Sequence, residues 1–451
     1  MAEATVTTDP VTTAADRLQT LNKAMTTKAA IAQTPKELVW TLNKAKLYRY
    51  VPVLPKEKRH PIPLLLVFAL MNRPYILDLR HGHSFVEYML NKGYDVYLLD
   101  WGVPGPEDKN LRFDDYTLDY MPRAIRKLKT ISGVEEFSLL GWCIGAILTT
   151  IYAALRGDEG LRNLILLTAP LDFSNKQSLT FARWTDERYF DVDKVLAAFG
   201  NMPGEMIDYG AKALKPVENY VGNYVKLWDN IDDPRMVEGW HAMNTWVTDN
   251  VPLAGGVFRQ LIVDLYRNDK LMRGELFIRG ERVELSRIQA NLLTVIAEGD
   301  HITPSCQSEP VMSKVSSPDK ELFRVKGGHI GIMAGSGASK YTWPHIDGWL
   351  APRSQSVRHF SHVVSAVDIQ FLTSDVVSIR GKESGGLGDF LRQREPSQRN
   401  LRLDLRGNLF RNGIHHFGRS ESGRDGIGGN IEFSHFQRES FGEGDDAALA
   451  G

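Results

Sequence analysis

Phe137-Ser138-Leu139-Leu140-Gly141-Trp142-Cys143-Ile144-Gly145-Ala146-Ile147-Leu148 is the stretch from which the fold can be read. Its first four residues form an apolar run of the kind that suits a strand buried on both faces. Gly141 and Gly145 then bracket a cysteine. From residue 144 to residue 155 the spacing turns helical, with Gly157 placed to end the helix. Strand, sharp turn and helix, with a nucleophile between two glycines, is the pattern of a nucleophile elbow, here carrying cysteine in place of serine. The glycines allow a tight turn and a close helix–strand approach, so the side chain at 143 is thrust out at the sheet edge in a strained conformation. The N–H of Ile144 then faces the site as an oxyanion donor, and the helix N-terminus favours the thiolate.

Working outward, further apolar runs occupy 64–70, 95–101, 164–168, 292–297 and 321–325, with helical patterns between them. Strands alternating with helices predict a mostly parallel sheet covered on both faces, an α/β fold of the hydrolase type. The core is expected over 46–173 and 288–350. The block 174–287 interrupts the rhythm with amphipathic, aromatic-rich stretches (Trp184, Tyr209, Tyr224, Trp246, Phe258, Tyr266) and reads as a helical cap, most of whose aromatics form its own core. Residues 1–45 carry helical spacing at Leu18, Leu21, Ala24 and Met25 and read as an extension before the core. From 351 to 451 the chain is rich in Arg, Gly and Ser, with Lys382 the sole lysine after 352, and reads as a disordered tail.

Composition narrows the class. The chain has 451 residues, 43% hydrophobic and 24% charged, which fits one large or two medium globular domains and excludes wholesale disorder. Lys plus Arg total 54 against 55 for Asp plus Glu, a balance that gives no reason to expect nucleic acid as partner. No apolar run approaches the ~20 residues of a membrane span, and the first residues lack the basic and apolar regions of a signal peptide. Two cysteines, Cys143 and Cys306, cannot make a disulfide framework, so a reducing, cytoplasmic compartment is expected. No cofactor and no metal is expected. His81-Gly82-His83 and the pair His359 and His362 read as surface histidines, and Cys306 as a small packing residue.

A nucleophile needs a base, and the base an orienting carboxylate, in the chain order nucleophile, acid, histidine. Asp300 lies in Gly299-Asp300-His301 just past the run 292–297, and His329 in Gly328-His329-Ile330-Gly331 just past 321–325. Both are loop positions at strand C-termini, where open α/β sheets place their chemistry. His301 is the nearest decoy as base, but consecutive side chains point apart, which favours His329. The loop after the first core strand, near Met71, is the expected source of a second oxyanion donor. Asp172 is as readily a structural turn residue as a site residue.

These motifs resemble polyhydroxyalkanoate synthases. Phe68-Ala69-Leu70-Met71-Asn72-Arg73-Pro74-Tyr75-Ile76, Asp95-Val96-Tyr97-Leu98-Leu99-Asp100-Trp101-Gly102, the elbow, Thr168-Ala169-Pro170-Leu171-Asp172-Phe173, Gly299-Asp300-His301 and Gly328-His329-Ile330-Gly331 carry the likeness, over roughly 47–350. The chain is most similar to the short catalytic subunit of the two-subunit classes, III and IV, and the Arg-rich tail departs from that pattern. The resemblance implies polymerisation of (R)-3-hydroxyacyl-CoA, chiefly 3-hydroxybutyryl-CoA, into a storage polyester with release of CoA. It implies Cys143 as acyl carrier, His329 as base and Asp300 as carboxylate. It also implies a second synthase subunit, a homodimer and cytoplasmic polyester granules. Two rivals share parts of this reading: a cysteine thioesterase or intracellular depolymerase, and a non-catalytic granule scaffold. The scaffold would need none of the three site residues.

Overall fold

The computed structural model describes residues 14–27 and 29–355. Ten strands are present among them: β1 (Lys36–Leu42), β2 (Ala45–Tyr50), β3 (Leu64–Val67), β4 (Val96–Asp100), β5 (Phe137–Trp142), β6 (Leu161–Leu167), β7 (Phe277–Ile278), β8 (Glu281–Arg282), β9 (Asn291–Ala297) and β10 (Lys320–Val325). Eight form one sheet in the order β1-β2-β4-β3-β5-β6-β9-β10, while β7 and β8 make a separate small hairpin. β1–β2 and β2–β4 are antiparallel and every later pairing is parallel.

Burial explains the centre of the sheet. Leu64, Leu65, Leu66 and Val67 of β3 are all inaccessible, as are Leu139 and Leu140 of β5. At ~1.5–3 kcal/mol for each large apolar side chain removed from water, such runs are stable only between two covered faces. Helix Ile144–Arg156 is buried from Ile144 through Leu155 and packs directly on β5. An all-round apolar helix of this kind belongs inside a fold. It ends with Gly157 in the C-cap position, as the sequence suggests, although Gly157 keeps right-handed dihedrals. The expected fold class is borne out: this is an α/β-hydrolase architecture.

Three features differ from the sequence reading. First, β1 and β2 lie inside or at the edge of the stretch read as an extension, yet both belong to the main sheet. They join through Asn43, which takes the positive φ of a tight turn, and Leu47 and Tyr50 of β2 are buried. Ahead of them, helix Ala14–Thr26 does form, and Arg17 holds Asp232 at 2.7 Å. Second, the run 64–70 is not all strand. β3 stops at Val67 because the chain there passes against the start of the elbow helix, where a Cβ on Gly145 would lie 2.2 Å from the Val67 carbonyl oxygen. Third, helix Trp343–Arg353 carries the core past 350, with Arg353 bridging to Asp319 at 2.8 Å. The remainder of the expected tail, with His359, His362 and Lys382, lies outside the described residues.

Between β6 and β9 the chain is mainly helical, the longest helix being Pro234–Thr248. Its aromatics do not all form a core. Trp246 and Phe258 are buried, but Trp184, Tyr189, Tyr209, Tyr220 and Tyr224 are exposed. Short helices such as Val192–Phe199 and Gly204–Ala213 bury little more than one edge each, which leaves their remaining faces to solvent.

Candidate active site

The strand order sets β5, β6, β9 and β10 side by side, so the loops at their C-terminal ends share one edge of the sheet. Cys143 follows β5 directly with φ 56° and ψ −121°, a conformation that a side-chain-bearing residue adopts only under constraint. The constraints are visible. The Cys143 N–H donates to the Leu167 carbonyl of β6 at 3.1 Å, and its carbonyl accepts from Ala146 at 2.9 Å. A Cβ on Gly141 would come within 2.2 Å of Thr149 Oγ1, so both glycines of the elbow are required by contact. The Ile144 N–H is in the first helical turn, where donors have no intrahelical acceptor, as an oxyanion donor must be.

Past β9 and β10 two loops continue in register. The Glu298 N–H donates to Val325 and the Gly299 N–H to Gly327, both at 2.9 Å. This carries Asp300 to the level of His329. Asp300 Oδ1 accepts the N–H groups of Ile302 and Thr303, each at 2.8 Å, which fixes the carboxylate. Its Oδ2 receives His329 Nδ1 at 2.7 Å, with both side chains almost fully buried. With Nδ1–H committed to the carboxylate, Nε2 is the nitrogen left to exchange a proton. Burial alone would lower the His329 pKa. Asp300 and then Cys143 outweigh it, and through charge and hydrogen bonds from both they raise it to about 10. His329 therefore senses Asp300 on one side and Cys143 on the other.

The other sequence candidates separate clearly. His301 makes no bond to Asp300, and its Nδ1 has no partner among the described residues. Burial lowers its pKa, with Lys215 adding in the same direction. Asp172 is a turn residue: its Oδ1 accepts both the N–H and the hydroxyl of Ser174. Cys306 is half-buried, 3.8 Å from Ser178 Oγ, and both cysteines are free thiols. His81 bonds Glu87 and His83 bonds the Ala334 carbonyl, so the two do not converge on a common point. Met71 is half-buried next to Asn72, which takes a φ of 71°. The loop they share is clamped from outside: Trp246 Nε1 donates to the Arg73 carbonyl at 2.7 Å, and Asp249 accepts from Arg73 Nε and Tyr75 Oη.

Sequence reasoning missed two residues here. The Tyr266 hydroxyl is held well above its usual pKa by burial and then by the charge of Cys143. Its ring packs edge-on against Phe173 and Phe181. Gln307 is buried nearby, its amide unpaired among the described residues. Tyr266 was visible only as one aromatic among many, and nothing local marked Gln307.

Comparisons with known proteins extend this picture. Residues 74–336 match the model of the alpha/beta hydrolase fold, and residues 11–89 match that of the poly-beta-hydroxybutyrate polymerase (PhaC) N-terminus. The second match begins well before residue 47, where the sequence resemblance was placed. A poly(3-hydroxyalkanoate) polymerase subunit PhaC from Haloferax mediterranei is 36% identical over 348 residues, covering 77% of this chain and 69% of that protein. The subunit of the same name from Allochromatium vinosum is 36% identical over 320 residues, 71% of this chain and 89% of that one. Among solved structures, a monoacylglycerol lipase from Paleococcus ferrophilus aligns at 20% identity with a TM-score of 0.43, over 68% of this chain and 99% of that one.

Proposed function

This chain belongs to the poly(3-hydroxyalkanoate) polymerase family and is an acyltransferase of that family, and from that premise we propose how its own residues make the polyester. The observation that carries the reading is the buried Asp300–His329 pair turned toward Cys143. Cys143 Sγ attacks the thioester carbonyl of (R)-3-hydroxyacyl-CoA, chiefly 3-hydroxybutyryl-CoA, and its proton passes to His329 Nε2. The N–H groups of Ile144 and Met71 hold the resulting oxyanion. Collapse breaks the carbon–sulfur bond to CoA, and His329 returns the proton to the departing CoA sulfur.

The acyl group now sits on Cys143 as a thioester, close in energy to the one consumed, so it remains activated. Serine would form an ester at this point and lose that activation. In the second half the terminal hydroxyl of the growing chain attacks acyl-Cys143 and gives its proton to His329. The new ester bond forms, and Cys143 leaves as a thiolate and is reprotonated. Asp300 keeps Nε2 facing the thiol throughout and stabilises the imidazolium that forms twice per cycle.

The product is an ester, so water must be kept from acyl-Cys143. The helical segment 174–287 serves as the cap that does this, and its motion admits substrate. The chain acts as the catalytic subunit of a two-subunit synthase, as a homodimer with a second synthase subunit, on cytoplasmic polyester granules. Among the described residues no helix is long and apolar enough to cross a membrane.

The test is incubation of the purified chain with 3-hydroxybutyryl-CoA, with and without a second synthase subunit. CoA release is followed with a thiol reagent, and the other product by solubility and size. Insoluble polyester that depends on the second subunit is the expected result. Free 3-hydroxybutyrate alone would make the chain a thioesterase, and unchanged turnover in Cys143→Ala would remove the acyl-cysteine.

A further inference from the structure

Gln307 is 0% exposed, and neither Oε1 nor Nε2 of its amide has a hydrogen-bond partner among the described residues. A buried polar group left unpaired costs roughly 1–3 kcal/mol, so both ends of one amide going unpaired calls for a cause. Looseness is not the cause, because the backbone at this residue is fully engaged. Its N–H donates to Pro304 at 2.9 Å, and its carbonyl accepts from Leu171 at 3.1 Å and Asp172 at 2.9 Å. Gln307 borders a small cavity, together with Leu179, Phe181, Tyr266 and His301, with room for about one group the size of a water molecule or a hydroxyl. His301 Nδ1 is unpartnered as well.

The cavity lies beside the catalytic edge of the sheet. His301 directly follows Asp300. Leu171 and Asp172, which pin Gln307, leave the end of β6, whose Leu167 carbonyl holds the Cys143 N–H. Tyr266 borders the cavity and also senses the charge at Cys143.

The chemistry of the amide narrows the ligand. One edge of a primary carboxamide presents an N–H and a carbonyl oxygen side by side. A hydroxyl both donates and accepts, so a single hydroxyl satisfies both in one ring of hydrogen bonds. An ester or thioester carbonyl only accepts. A trans secondary amide turns its N–H and its carbonyl in opposite directions and cannot meet both. We infer that Gln307 is a hydroxyl-recognition residue that binds the 3-hydroxyl of the acyl unit within this cavity. The inference rests on the 3-hydroxyacyl-CoA polymerase reading. It supplies what the triad lacks, a means of distinguishing hydroxylated from plain acyl thioesters. The pantoyl hydroxyl of CoA offers the same chemistry, so the experiment must separate the two sources.

Binding is measured in Cys143→Ala protein, where no turnover occurs, with 3-hydroxybutyryl-CoA, butyryl-CoA and CoA itself. The same three ligands are then measured with Gln307→Met added, which keeps chain length and removes both polar atoms. Gln307→Leu stands beside it in case Met perturbs packing. Cys143→Ala is expected to prefer the hydroxylated thioester by about tenfold or more, and the second substitution to abolish that preference while leaving butyryl-CoA affinity intact. Equal affinity for the two thioesters in Cys143→Ala, or a preference that survives at Gln307→Met and Gln307→Leu, overturns the inference. Equal weakening of all three ligands overturns it too, by assigning the amide to the pantoyl hydroxyl. Failure of the polymerase reading would show separately, as absence of polyester from the unaltered chain.

Discussion

Asp300→Asn isolates the contribution of one charge and one hydrogen-bond acceptor. The two N–H groups of Ile302 and Thr303 that bind Oδ1 can be kept by the Asn oxygen. The atom facing His329 Nδ1, now 2.7 Å away, then becomes an NH₂ group, a donor set against a donor. The imidazole resolves the clash by moving its proton to Nε2, the nitrogen that must accept from Cys143. Two unit charges about 4 Å apart at an effective dielectric of about 20 attract by ~4 kcal/mol, or about 3 pKa units. That is the scale of the rise of His329 from 6.5 to about 10, to which Asp300 is the largest upward contributor. Removing it takes away the largest upward contribution, leaving burial opposed by Cys143 alone, and the His329 pKa should fall. With the wrong tautomer and a weaker base, single-turnover release of CoA should slow by roughly 10³- to 10⁴-fold. Stopped-flow trapping of the released thiol measures the rate, NMR titration of the His329 ring measures the pKa, and circular dichroism checks folding. A folded variant whose rate stays within about tenfold of the parent would refute the orienting role of Asp300. So would a His329 that still titrates near 10.

Other expectations follow from single contacts. Gly145→Ala would place a Cβ 2.2 Å from the Val67 carbonyl oxygen, and urea unfolding should show a loss of about 3 kcal/mol or more, with CoA release abolished. The raised pKa of His329 makes its ion pairing a stabilising term that is complete below its ordinary 6.5 and lost as pH rises through about 10. Melting temperature should fall over that window, and the fall should shrink in His329→Gln. Asp269 is 6% exposed, and burial, then the charge of Asp172, push its pKa up to about 6, so its ionisation opposes folding above that pH. Asp269→Asn keeps an oxygen for the Phe173 N–H and tolerates the φ of 47°, and at pH 8 it should stabilise the fold by up to about 3 kcal/mol in urea titrations. Asp249→Ala would free Arg73 and Tyr75, and should lower the CoA-release rate severalfold with little change in melting temperature.

The parts of this structure that were legible in the sequence are those whose environment is symmetrical. β3, β4, β5, β6 and β9 lie inside the sheet and are almost wholly buried, so their residues are largely apolar and stand out as runs, whereas the edge strand β10 keeps a shorter apolar stretch between the exposed Lys320 and Arg324. β1 and β2 did not stand out, because solvent reaches one face and the pattern is broken by Lys36, Glu37, Lys46 and Arg49. What places them in the sheet is pairing with β4 and the bond from Arg49 to Asp95, neither of which is local. In the site, Cys143, Asp300 and His329 were marked by glycines and by chain order, since each sits at a turn that only certain residues can make. Gln307 carries no such mark. Its meaning lies in what it fails to touch, and sequence does not record an unmade bond.

The clamp on the loop after β3 has a mechanical consequence. The elbow is bolted to the sheet through β6, whereas the loop that carries Met71 is tied by Asp249 and Trp246 to helix Pro234–Thr248 and its end. The two halves of the proposed oxyanion pocket are therefore held by different contacts, the second in part by residues outside the sheet. On the proposed mechanism, a displacement of helix Pro234–Thr248 would reach the loop that carries Met71 through these contacts, without touching Cys143.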